Sequence, residues 1–213
     1  MAISSGGYLR LGTLVGSSGV FAVGALLAAC GSSTTASPAT TTAAPMTSAA
    51  PTTTTMAPMT MAPAQNVALK IETGKMDGKP GYPKVIPADI TVHLGTPVAL
   101  MITSYDDGTA PLPASLATYE TIQGGTETVN GTAVASVPNA NISHTFSVPN
   151  LGVNVLIPAV SPGAKTTTVI FTFTPTKTGT FTWHCFAPCG SGSDGMSGAM
   201  ATMGWMEGNI TVS

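Results

Sequence analysis

The runs Thr167-Thr168-Val169-Ile170-Phe171-Thr172-Phe173-Thr174 and Thr180-Phe181-Thr182-Trp183-His184-Cys185, divided by the turn signal Lys177-Thr178-Gly179, set the reading of this chain. β-Branched and aromatic residues fit a pleated, half-buried surface, and both runs have strand length. With a period of two, Phe181, Trp183 and Cys185 share one face, and Thr182 and His184 share the other. If the aromatics face a core, the Cys185 thiol points inward and His184 points outward. The same composition recurs in Val67–Glu72, Asp89–His93, Pro97–Thr103, Thr132–Val137, His144–Val148 and Gly208–Val212, with turn signals such as Leu94-Gly95-Thr96-Pro97 between them. No window of ten or more residues carries a 3.6-residue apolar period. These features predict an all-β, Greek-key β-sandwich built of antiparallel sheets.

Upstream, the composition changes abruptly and places the domain boundaries at 1–30, 31–65 and 66–213. Leu11 to Ala29 is apolar and Gly/Ala-rich, follows the single cation Arg10, and ends in Leu27-Ala28-Ala29-Cys30. Small residues before a cysteine are similar to a bacterial lipoprotein processing site, which makes Cys30 the expected lipid attachment point after signal cleavage. An ordinary signal peptide or an uncut anchor are the alternatives, and each puts the rest of the chain outside the cytoplasm. Residues 31–65 are almost entirely Thr, Ala, Ser, Pro and Met without charge, too poor in apolar surface to offset ordering entropy, so a disordered tether is expected. Met56, Met59 and Met61 within it read as compositional drift, since a thioether binds a metal weakly without partner ligands.

Charged residues make up 8% of the chain and the net charge is −2, which excludes the dense positive surface that nucleic acid requires. No Gly-x-Ser-x-Gly elbow is present, and Asp106-Asp107 reads as a turn cap, so no small-molecule substrate is indicated. The chemistry concentrates in Cys185-Phe186-Ala187-Pro188-Cys189-Gly190 and the Gly/Ser/Met loop that follows. Thiolates and thioethers select copper over hard ions, and a loop between adjacent strands gathers them at little entropic cost. His144, opening its own strand, is the imidazole such a site adds. A second reading stays open, because two cysteines close in sequence in an oxidising compartment can form a disulfide. His93, beside the Leu-Gly turn, reads as a surface residue, and His184 as an electron port or partner contact.

Three stretches together resemble the cupredoxin family, and in detail the copper-A domain of cytochrome c oxidase subunit II. They are Ile86 to Val98, His144-Thr145-Phe146-Ser147-Val148-Pro149-Asn150-Leu151-Gly152, and Cys185 to Gly190. The resemblance covers roughly residues 67–213, and the three segments in order are more specific than any one alone. It implies His144 as a terminal imidazole, Cys185 and Cys189 as thiolates, Met206 as a weak axial thioether and the backbone carbonyl of Ala187 as a further weak ligand. The pattern's second histidine is missing: Met203 and Ser193 stand at its two possible places, and no histidine follows Cys189. The replacement falls to the loop's thioethers, Met196, Met200 or Met203, with Met203 standing three residues before Met206 at one of those places.

The resemblance implies one or two copper ions and a membrane-tethered protein, on the outer side of a bacterial membrane, that passes single electrons to a redox protein such as a cytochrome or oxidase. It is not expected to be an enzyme alone. The missing imidazole and the methionines keep a copper(I) carrier or buffer as an alternative, and a metal-free module with a Cys185–Cys189 disulfide is the third.

Overall fold

In the computed structural model, which describes residues 63–213, the alternating runs become strands with alternating burial. The eleven strands are β1 (Gln65–Glu72), β2 (Lys84–Ile86), β3 (Ile90–Val92), β4 (Val98–Ser104), β5 (Thr126–Val129), β6 (Thr132–Val134), β7 (Ile142–Val148), β8 (Val153–Pro158), β9 (Thr167–Phe173), β10 (Gly179–His184) and β11 (Glu207–Val212). In β4 and β9 every second side chain is buried, which is the pattern of a sheet with one face on a core. The strands form a six-stranded sheet, ordered β2-β1-β4-β9-β5-β6, and a five-stranded sheet, ordered β3-β11-β10-β7-β8. The expected all-β sandwich is what the chain builds.

The expected antiparallel pairing needs one correction. Strand β1 pairs with β4 in parallel, and β11 pairs with β3 in parallel. Both arise because the early chain crosses between the sheets: β3 lies in one and β4, after the Leu94-Gly95 turn, in the other. Strands far apart in sequence thereby become neighbours without a hairpin joining them.

Between the sheets lie Leu69, Leu100, Ile102, Phe146, Val155, Phe171, Trp183 and Ile210, all buried. Trp183 stacks on Phe146 with ring centroids 4.8 Å apart, and its indole N–H donates to the carbonyl of Ala88 at 2.6 Å. That bond satisfies the one polar group Trp183 carries into the core. Opposite Trp183 stands Gly208, where a Cβ would lie 2.8 Å from the indole nitrogen. A side chain there would displace the ring that fixes the inward face of β10, so glycine is required.

Strand β7 departs from alternation, since all seven of its residues are buried. Its neighbours β10 and β8 flank it within the sheet. The amide of Asn154 on β8 donates to the carbonyls of Tyr119 and Thr121, at 3.0 and 2.6 Å, and holds the preceding segment beside this sheet. The polar residues Ser143, His144, Thr145 and Ser147 are therefore enclosed, and buried polar groups need defined partners. Cys30, the signal segment, Met56, Met59 and Met61 lie outside the described residues, as does nearly all of the tether. Among the described residues, no helix is long and apolar enough to cross a membrane.

Candidate metal centre

Cys185 follows the last residue of β10, on the inward side with Trp183, and is 3% exposed. Its backbone N–H donates to the carbonyl of Met206 at 2.9 Å, so the start and end of the connecting loop are tied together. Four residues on, Cys189 turns back on a hydrogen bond from its N–H to the Ala187 carbonyl at 2.7 Å. The two Sγ atoms stand 3.5 Å apart as free thiols. A ring nitrogen of His144 and the two sulfurs all lie within 4.8 Å of one another.

His144 reaches this place through a bulge. The register of β7 on β8 shifts between Ile142 and His144, leaving Ser143 as the extra residue. A bulge re-aims side chains where it occurs, here at the metal-site edge of the sheet. The His144 ring is fully buried; its Nε2 lies 3.1 Å from Oδ2 of Asp106, while Nδ1 has no hydrogen-bond partner. An orphaned ring nitrogen in a dry interior costs free energy unless something accepts its lone pair or proton. A metal ion held with the two sulfurs satisfies that need.

The thiols are electrostatically unequal. Burial pushes the Cys185 thiol up, but the Cys189 thiol, the His144 ring and the Thr145 N–H outweigh it and hold Cys185 well below the usual thiol range. The Thr145 N–H donates to its sulfur at 3.4 Å. Cys189, facing that thiolate and itself buried, is pushed well up. Burial pulls His144 down, yet the Asp106 carboxylate and Cys185 raise it overall to about 9. A metal ion binding there needs deprotonated thiols and a ring nitrogen without its proton, so it competes with protons for these donors.

The loop adds thioether sulfur. The Sδ of Met200 lies 3.2 Å from the Sγ of Cys189, and Met200 is half-buried against the core. Gly190 makes room for it: a Cβ at that position would stand 2.6 Å from Cγ of Met200. Met203, which stands at one of the missing imidazole's places in the sequence, is 55% exposed. The structure brings Met200 rather than Met203 to the thiols, because the short 3-10 turn at Gly198–Ala201 folds inward and the chain then swings out before β11. Met206 is buried, its N–H donating to the Ala199 carbonyl at 3.3 Å. The Ala187 carbonyl oxygen is 3.6 Å from the Sγ of Cys185. Met196 is exposed.

No protein-family model and no curated protein matches the chain. Among solved structures it is similar to a multi-copper oxidase from Pediococcus acidilactici, at 15% identity and a TM-score of 0.37, over 73% of this chain and 27% of that one. A laccase from Pediococcus acidilactici is similar at 13% identity and a TM-score of 0.37, over 70% of this chain and 27% of that one. Rusticyanin from Thiobacillus ferrooxidans is similar at 14% identity and a TM-score of 0.32, over 71% of this chain and 79% of that one. The chain thus spans about a quarter of the length of the two oxidases and most of the length of rusticyanin. At these scores the likeness adds nothing to what the chain's own sheets and donors show.

Asp106 is the site residue that sequence reasoning missed. It does cap a turn, since Oδ1 accepts the Gly108 N–H at 2.9 Å, but its other oxygen holds His144. Burial pushes its carboxyl up, and the His144 ring outweighs this and holds it below the usual range. A second missed feature is the polar chain behind Cys185. The Phe186 N–H donates to the Thr145 hydroxyl at 2.8 Å, and the Ser147 hydroxyl links Thr145 to Asn154, at 2.9 and 2.5 Å. It anchors the loop to β7.

His184 faces away from the thiols, as its place in the alternation requires. Its Nδ1 lies 3.2 Å from Oε2 of Glu207, its ring centroid is 5.8 Å from that of Phe186, and Phe186 stacks on Tyr119 with centroids 3.9 Å apart. His93 is exposed, and its backbone N–H donates to the Gln65 side chain at 3.0 Å.

Proposed function

We propose that residues 63–213 form a cupredoxin-type copper protein that passes single electrons between redox partners outside the cytoplasm, tethered to the membrane through a lipid on Cys30. The observation that carries this reading is the convergence of His144, Cys185 and Cys189 at a buried end of the sandwich, with their donor atoms within 4.8 Å of one another. Two thiolates and an imidazole are the donors of a copper site, and a nearby thioether points away from zinc and hard ions. Copper held there supplies a one-electron couple.

The chain's own residues do the rest. Asp106 orients the imidazole, the Thr145 N–H stabilises thiolate charge on Cys185, and the sheets keep the donors from moving as charge changes. His184 and Phe186, which flank Cys185 in sequence, and Tyr119 stacked on Phe186 are the residues through which a partner would approach the thiolate. The spacing of Cys185 and Cys189 and the 3.5 Å between their sulfurs support the finer resemblance to the two-copper domain of oxidase subunit II. That makes a respiratory oxidase or a cytochrome the proposed partner.

A second reading, copper(I) carriage, is favoured by one observation: the sulfur beside Cys189 belongs to Met200, where an imidazole would support Cu(II). Elemental analysis of the folded protein, with its visible and spin-resonance spectra, separates the two. Bound copper with a thiolate-to-Cu(II) charge-transfer band supports electron transfer. A colourless copper complex that resists oxidation supports carriage. Zinc, or no metal, overturns both.

A further inference from the structure

The three donors of the centre differ in how they meet solvent. His144 is fully buried and Cys185 nearly so, whereas Cys189 is only partly buried. Cys189 lines two surface cavities, one of about 450 Å³ shared with Lys75 and Asp106, and one of about 250 Å³ shared with Ser143 and Pro188. Ser143, which lines the smaller cavity, carries a buried hydroxyl without a hydrogen-bond partner, so polar groups near that side of the centre are not all satisfied. Met200 lines neither cavity but stands beside the same thiol, with Sδ 3.2 Å from the Sγ of Cys189 and room made by the bare Cα of Gly190.

From these placements we infer that Cys189 and Met200 form the exchange edge of the centre, a thiol–thioether pair through which Cu(I) is taken up and given back. The inference rests on the copper reading above and gives the thioether donor to Met200, not to Met203. Exchange is a ligand substitution with no electron transferred. As the bonds from an incoming chelate to the ion break, bonds to the Met200 thioether and the Cys189 sulfur form, and the Cys189 proton leaves to water. Cys185 and His144 then close on the ion from the dry side, with any proton on Nδ1 of the ring leaving to water as well. A thioether suits the first contact because it carries no proton and binds Cu(I) without competition from pH.

The test offers Cu(I) as its bicinchoninate complex to the full chain and follows the loss of that complex's colour, in rate and at equilibrium. Met200→Leu should slow uptake and weaken retention, each by about tenfold or more, since one of four donors is lost. Met203→Leu should change neither. Met200→His, which restores a donor at that place, should recover retention, and after oxidation it should strengthen the charge-transfer absorption of Cu(II). An unchanged melting temperature of the metal-free Met200→Leu protein excludes a folding cause. Wild-type rates and affinity in Met200→Leu would overturn the exchange edge while leaving the copper reading intact, as would equal losses in Met203→Leu. Failure of the wild-type chain to take up Cu(I) at all would instead overturn the copper reading on which it rests.

Discussion

Asp106 places Oδ2 3.1 Å from Nε2 of His144, and this single contact decides which ring nitrogen remains for a metal. Asp106 is itself fixed, since its N–H donates to the Ser104 hydroxyl at 3.3 Å and its Oδ1 accepts from Gly108. The carboxylate therefore cannot follow the ring if the ring turns. With Nε2 engaged, Nδ1 is the free donor, and the imidazole is preorganised before any ion arrives.

Asp106→Ala should consequently weaken copper binding by about 10–100-fold, the range typical when a partner behind a metal ligand is lost. Asp106→Asn, which keeps a hydrogen-bonding group of the same shape, should fall between. Competition titration against a chelator of known affinity reads the effect, and equal affinities for all three proteins would show that Asp106 does not position the ligand.

Cys189 separates a thiol pair from a disulfide. With both sulfurs free, Cys189→Ser should change or abolish the copper spectrum while leaving the melting temperature of the metal-free protein nearly unaltered. A disulfide would behave oppositely: the same substitution would cost about 2 kcal/mol or more and leave a newly reactive thiol at Cys185. Thermal melts combined with thiol titration of the metal-free chain decide between these outcomes.

Membrane attachment is predicted to run through Cys30. A lipid-modified amino-terminal cysteine carries enough acyl chains for stable anchoring, so Cys30→Ala should move the protein from the membrane fraction to the soluble one. Mass spectrometry of the wild-type chain should find the mature terminus at Cys30 with its lipid, and a mature terminus elsewhere would reject the assignment.

What the sequence displayed and what it hid follow from how each strand is buried. Strands with one covered face, such as β4, β9 and β10, advertise themselves by alternation, and with them the inward Cys185 and outward His184. Strand β8 escaped because Val155, Leu156 and Ile157 are consecutive and all buried, a run with no period of two. Strand β5 escaped because its inward residue is Glu127, a carboxylate where the pattern requires an apolar side chain. The Asp106–His144 contact spans 38 residues, and no local spacing encodes a contact that only the closed sandwich creates. Among the loop's methionines Met203 stands nearest the family's histidine place in sequence, yet the glycines, with positive φ at Gly192, Gly195, Gly198 and Gly204, coil the chain so that position along it no longer tracks position in space.

Glu127 carries the last prediction, because it is a buried acid outside the metal centre. Its Oε2 accepts the Leu156 N–H at 3.1 Å, bridging the two sheets, while Oε1 is buried without a partner. Burial pushes its carboxyl up, the Leu156 N–H only partly opposes this, and the group sits at about 7 against 4.5 when free. The folded state then holds a proton that the unfolded chain has released, so stability falls as pH rises from about 4.5 and levels off above about 7. The cost approaches about 3 kcal/mol on the alkaline side. Glu127→Gln keeps an acceptor for Leu156 and has no charge to bury, so it should be more stable than wild type at pH 8 and lose that advantage near pH 5. Urea unfolding of both metal-free proteins across this range isolates the effect, since every other titrating group cancels in the difference. A difference that does not change with pH would mean that Glu127 is ionised in the fold at little cost, with Oε1 reached by water.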